Sequence, residues 1–200
     1  MTLKTDDYSL VAACRSGNAE AFGILVKRYQ DRLFPTILRL TGNADDALDL
    51  LQDTFFRAYQ KLGKFRGRSS FYTWLYRIAV NLALSDRRKR RTSGHTSHFD
   101  GGRDLDPPDD SDLAIPSGAL ERAETHAEVQ AALNALLPDH RAVVVMKEFD
   151  GFRYEEIAEI LNIPVGTVRS RLHRARAELR HQLKHLIEDE PARVSPMMKE

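Results

Sequence analysis

The segment PVGTVRSRLHRARAELR, residues 164–180, carries five arginines and a histidine. Guanidinium groups this close repel one another unless something anionic offsets them. Each also presents a planar fork of donors that fits a phosphate, or guanine O6 and N7. Other chemistry-bearing residues are sparse. HTSH places His95 and His98 three apart in polar chain with no third ligand nearby, so no metal site is expected. The single cysteine, Cys14, stands on an apolar stripe and reads as a small core residue. It excludes an intrachain disulfide and fits a reducing compartment. No phosphate-binding loop, nucleophile elbow or paired-carboxylate motif occurs, so neither an enzyme nor a cofactor is expected. The residues point to binding of a polyanion.

The apolar spacing around those arginines says how they are held. Val168, Leu172, Ala175 and Leu179 recur at steps of four, three and four, one face of a helix. With that face inward, Arg169, His173, Arg176 and Arg180 fall along one flank, and Arg171 and Arg174 along the other. Ser170 lies near the exposed N-terminal end. Upstream, YEEIAEIL (154–161) is a short helix with Tyr154, Ile157, Ala158 and Leu161 as its buried face. NIP (162–164) is a tight connection, and Pro164 suits a helix entry. Two short helices joined by three residues, the second basic, form a helix-turn-helix. In that geometry the N-terminal half of the second helix reaches base edges, and later arginines meet phosphates. The plainer reading is a solvated helix with Glu155, Glu156, Glu159 and Glu178 as charge partners. It is weaker, because the turn and both apolar stripes agree with a DNA reader.

The remainder of the 200 residues reads as helix with one break, so the fold class is all-α, two small helical domains. Leu10, Ala13 and Cys14 begin one stripe; Ala21, Phe22, Leu25, Val26 and Tyr29 form a second. Leu48, Leu51, Phe55, Ala58, Tyr59 and Leu62 form a third, and Phe71, Trp74, Leu75, Ile78 and Leu82 a fourth. Gly42-Asn43 and the stretch up to Ser70 separate them. Periodicity vanishes from Thr92 to Gly118, where paired glycines, Pro107-Pro108 and six aspartates cannot bury enough apolar area to offset chain entropy. The expected boundaries are therefore 1–91, a flexible acidic linker at 92–118, a second domain at 119–188 and a tail at 189–200. Val129, Ala132, Leu133 and Leu136 restart the helical pattern, and Pro138 suits the first turn of the next helix. A net charge of +1 hides local imbalance, with the basic block DRRKRR (86–91) set before the acidic linker. No signal peptide or membrane-length apolar run is present, so the expected compartment is the cytoplasm.

Three blocks occur in order: DLLQDTFFRAYQKL, FRGRSSFYTWLYRIAVNLALSDRRKRR and DGFRYEEIAEILNIPVGTVRSRLHRAR. Together they resemble the extracytoplasmic-function (ECF) sigma factors, close to the sigma-E-like subgroup of the sigma-70 family. The resemblance covers roughly residues 15–91 and 119–184. It implies a promoter-recognition subunit of RNA polymerase, with sigma region 2 in the first domain and region 4 in the second. Region 4 would read the −35 element as duplex through Arg169, Ser170, Arg171, His173, Arg174 and Arg176. Region 2 would melt the −10 element, with Phe65, Ile78 and Asn81 lining a pocket for one flipped base. Arg77, Arg87 and Arg88 would track nearby phosphates. Base capture of this kind offsets an unstacking cost of a few kcal/mol. Asp49, Gln52 and Asp53 would contact the clamp helices of the polymerase β′ subunit, and the second domain the β flap. Leu48 stands where the family generally has an acidic residue. The resemblance also implies control by an anti-sigma factor, often membrane-bound, in a stress response, with no membrane insertion of this chain. The competing reading is a conventional helix-turn-helix regulator, although no dimerisation or ligand domain is visible.

Overall fold

The computed structural model describes residues 6–92 and 117–188, and every regular element among them is helical. The first half comprises α1 (Asp7–Arg15), α2 (Ala19–Thr41), α3 (Ala44–Lys61) and α4 (Phe71–Thr92). Short polar side chains start them, as orphan N-terminal N–H groups require. Asp6 accepts from Ser9 N at 2.9 Å, Asn18 from Ala21 N at 3.3 Å and Asn43 from Asp46 N at 3.0 Å. Ser70 Oγ accepts from Thr73 N at 3.0 Å at the start of α4. Gly42 ends α2 at φ 77°, a left-handed conformation that favours glycine. α2 packs against α1, α3 and α4. Leu25, Leu33, Ile37, Ala47, Ala58, Leu75 and Ala79 are fully buried between them.

The second half comprises α5 (Ser117–Ala135), α6 (Pro138–Val144), α7 (Tyr154–Leu161), α8 (Val165–Gln182) and α9 (Lys184–Glu188). Pro138 opens α6, as expected of a proline suited to the first helical turn. A π-helical turn over Val145–Phe149 continues α6, and the sequence pattern gave no sign of it. Thr92 closes α4 and Ser117 opens α5, so helices take the edges of the segment read as a linker. Its residues 93–116 lie outside the described residues, as do the tail and the pair His95 and His98.

The two halves are in contact. α5, α6 and the π turn meet α2, and α6 and α7 meet α4. AVVVM (142–146) is buried on every side, because α8 covers one face and the first half the other. Gly42 lies so close to α5 that a Cβ there would collide with the Asn134 side chain.

The stripe expected on α3 is corrected at two positions. Leu48 and Tyr59 are exposed, whereas Ala47, Leu50, Thr54, Phe55 and Ala58 face inward. Phe55, Ala58 and Leu62 are buried as their spacing predicts, while the small residues Ala47 and Thr54 take core positions in place of Leu48 and Tyr59. On α7 the inward set includes Ile160, and Tyr154 and Leu161 are only partly buried.

Candidate nucleic-acid and polymerase interfaces

The turn between α7 and α8 is set by Asn162, the one described non-glycine residue with positive φ, at 53°. Asparagine tolerates this left-handed conformation better than most residues. Ile163 N donates to Ala158 O at 3.0 Å, and Pro164 supplies the N-cap of α8. Val168, Leu172 and Ala175 are buried, with Leu179 partly so, which fixes the rotation of α8 as its spacing predicts. Arg169, Ser170, His173, Arg174 and Arg176 are thereby exposed.

These cations fall into two groups. Arg171 pairs with Asp139 of α6 at 2.9 Å. Arg176 donates through Nε and Nη2 to Glu148, at 2.9 and 2.6 Å, and that hydrogen bond raises its already high pKa. Both help tie α8 to the body beneath it. Arg169 and Arg174 have no such carboxylate partner among the described residues. Ser170 Oγ donates to Thr167 O at 3.0 Å, keeping a small hydroxyl flat on the helix surface. Of the expected reading set, Arg169 and Arg174 carry no ion pair among the described residues, and Arg171 and Arg176 are already paired.

The face expected to melt DNA is arranged differently. Phe65, expected as a wall of an open pocket, is instead buried inside an aromatic cluster. Its ring lies edge-on to Phe71 at 5.8 Å and tilted to Trp74 at 5.2 Å. Its apolar ring gains more from that cluster than from solvent, and the Arg15 guanidinium caps the loop by donating to Leu62 O and Phe65 O. Ile78 is half-buried and Asn81 exposed, one turn apart on α4. Arg77 is partly buried and pairs with Glu159 of α7 at 3.1 Å. Arg87 donates to Thr41 O, at the end of α2, at 2.7 Å. The Arg88 side chain lies outside the described residues.

On α3, Asp49, Gln52 and Asp53 are exposed and line one groove with Asp46, Phe56, Leu82 and Asp86. Asp53 also meets Arg57 at 3.5 Å, one turn along. Leu48 and Phe56 are 49% and 60% exposed on this helix, so the surface is apolar as well as acidic. Sequence reasoning missed Phe56, Asp46 and Asp86. The FF pair at 55–56 was the available signal, since one helical face cannot bury both rings. Among the described residues no group of three or more His, Cys, Asp or Glu is placed to hold a metal. No helix among them is long and apolar enough to cross a membrane.

A reading helix with free arginines, joined to a helical body that carries an acidic and apolar groove, defines a DNA-binding protein with a second macromolecular surface. The comparisons with known proteins narrow this. Residues 25–93 match the family model for sigma-70 region 2, and residues 126–179 that for sigma-70 region 4. The RNA polymerase sigma-H factor of Pseudomonas aeruginosa is 38% identical over 197 residues, covering 94% of this chain and all of that one. The ECF RNA polymerase sigma-E factor of Escherichia coli K12 is 35% identical over 195 residues, covering 94% and 99%. Among solved structures, sigma factor RpoE bound to the anti-sigma factor NepR from Bartonella quintana superposes with a TM-score of 0.60 at 29% identity, over 80% of this chain and 93% of that one. CnrH bound to the cytosolic domain of CnrY gives 0.60 at 28%, over 92% and 98%. The chain belongs to the ECF sigma factors of the sigma-70 family.

Proposed function

We propose that this sigma factor directs core RNA polymerase to promoters by holding two DNA elements in two ways. α8 reads the −35 element as duplex through Arg169, Ser170, His173 and Arg174, with Arg171 and Arg176 set back as anchors that also reach phosphate. α4 receives the opened −10 strand, with Ile78 stacking on a flipped base and Asn81 bonding its edge. Arg77 and Arg87 then steer the adjoining phosphates. The groove of Asp49, Gln52 and Asp53 docks on the β′ clamp helices, and Phe56 adds apolar area to an otherwise hydrated contact. The second half meets the β flap. The protein acts by binding and strand capture rather than by catalysis, with no cofactor, and it works in the cytoplasm. By analogy with the solved complexes of NepR and CnrY, an anti-sigma factor is its inhibitory partner and a stress response its setting.

One observation carries this reading: Arg169 and Arg174 are exposed, lack a carboxylate partner among the described residues, and project from a helix anchored by Val168, Leu172 and Ala175. Run-off transcription with core polymerase on a randomised promoter library tests it. A sigma factor yields transcripts from a subset of templates with no other sigma present. A conventional regulator binds DNA and yields none.

A further inference from the structure

Where the two halves meet, a largely apolar interface contains a few polar contacts, one of them built on a carboxylate. Asp150, just after the π turn, accepts from Thr36 Oγ at 3.0 and 3.1 Å and from the Tyr76 hydroxyl at 2.6 Å. Thr36 belongs to α2 and Tyr76 to α4, and neither is exposed at all. Among the described residues no cation lies within ion-pair distance of this carboxylate, so two hydroxyls from the other half supply its side-chain hydrogen bonds. Around it, the Phe152 ring packs on Tyr76 at 4.7 Å and the Arg39 guanidinium lies 4.5 Å over Phe149. Arg141 donates to Leu40 O at 3.0 Å. On the same side, Glu159 occupies Arg77.

We infer that Asp150, Thr36 and Tyr76 form a latch that makes closure of the free chain over one side of α4 reversible: the two hydroxyls keep it shut, and the hydration the carboxylate regains favours opening. The consequence for initiation rests on the proposed function; the closure itself does not. While Arg77 is paired to Glu159 and α7 stands against α4, that side of the helix cannot accept a DNA strand. A purely apolar joint would resist opening in proportion to the area exposed to water. A buried carboxylate regains its full hydration when the joint opens, which offsets part of that resistance. Closed, it is tolerated only because both hydroxyls are in place. Removing the donors and removing the charge therefore have opposite effects.

The test uses the full chain with Cys14→Ser and two spin labels, at Lys27→Cys on α2 and Ala177→Cys on α8, read as a distance distribution. The parent is expected to show one narrow population. Thr36→Val with Tyr76→Phe keeps both shapes but strands the carboxylate, and shifts the open-to-closed ratio by about tenfold or more. Adding Asp150→Ala to that pair restores the narrow population, which a merely misfolded double variant cannot do. In run-off transcription on templates selected with the parent chain, the double variant initiates faster than the triple one. Two results overturn the latch: a distribution unchanged in the double variant, or a broad one that Asp150→Ala fails to narrow. If distances respond as stated but no chain initiates, the latch stands and the proposed function falls.

Discussion

The two helices assigned to DNA, α8 and α4, present their functional faces in opposite states. α8 is anchored by an apolar stripe on one side and leaves Arg169, His173 and Arg174 in solvent. α4 is buried on two sides, by α2 and α3 within its own half and by α6 and α7 from the other. Its Arg77 is already paired, and Phe65 beside it is folded inward. A duplex reader can be complete before it meets DNA, because the groove exists beforehand. A surface for opened strand has no ligand until melting begins, and here part of it is covered by the chain's own second half.

The comparison yields predictions of decreasing size. The largest effect falls on α8. Arg169→Ala or Arg174→Ala should each weaken full-chain binding to a selected −35 duplex by roughly 1–3 kcal/mol, the range for a bidentate base contact. A filter or anisotropy titration at fixed salt measures it, and unchanged affinity would remove α8 from the interface. Next, Asn81→Ala should leave that duplex binding untouched while weakening strand opening by about 1 kcal/mol, for one lost hydrogen bond. Permanganate reactivity of the melted region in the holoenzyme reports it, and a parallel loss in duplex binding would merge the two surfaces into one.

Smaller effects should come from the anchored arginines. Arg176→Ala loses its Glu148 pair, so thermal stability should fall by no more than about 1 kcal/mol for an exposed ion pair. Its loss in DNA affinity should be smaller than that of Arg169→Ala; an equal loss would erase the distinction between anchors and readers.

The smallest prediction concerns pH. Burial raises the Asp150 pKa above 3.8, against the opposing pull of Tyr76, Thr36, Arg39 and Arg32. Closure then takes up protons, so this contribution is complete below 3.8 and is lost as pH rises through the closed-state value. Acidification toward pH 3.8 should increase the closed fraction in the labelled chain. Asp150→Asn should flatten that dependence; an equally steep one in the variant would assign it to another group.

The helices, the turn at 162–164 and the exposed face of α8 were legible in the sequence because they depend on local spacing and turn chemistry. Val168, Leu172, Ala175 and Leu179 recur with helical period whether or not anything packs above them. The core face of α3 was not, because Leu48 and Ala47 are both compatible with burial and only the closeness of α2 selects Ala47. Tyr76 and Val80 were missed on α4 for a related reason. One stripe was sought, whereas the helix is covered twice. The all-apolar AVVVM run was the visible hint that α6 is enclosed on every side.

By itself the sequence determined a chain of amphipathic helices, a break near its middle, a helix-turn-helix and the residues on its outer face. Periodicity and capping act within a few residues, so a linear string carries them. Only the tertiary structure decided that the halves meet, that Asp150 lies between Thr36 and Tyr76, and that Glu159 holds Arg77. Those contacts join residues 114, 74 and 82 positions apart, and no local pattern encodes such a pairing. Their strength arises from desolvation, a property of the assembled interface and of no residue alone.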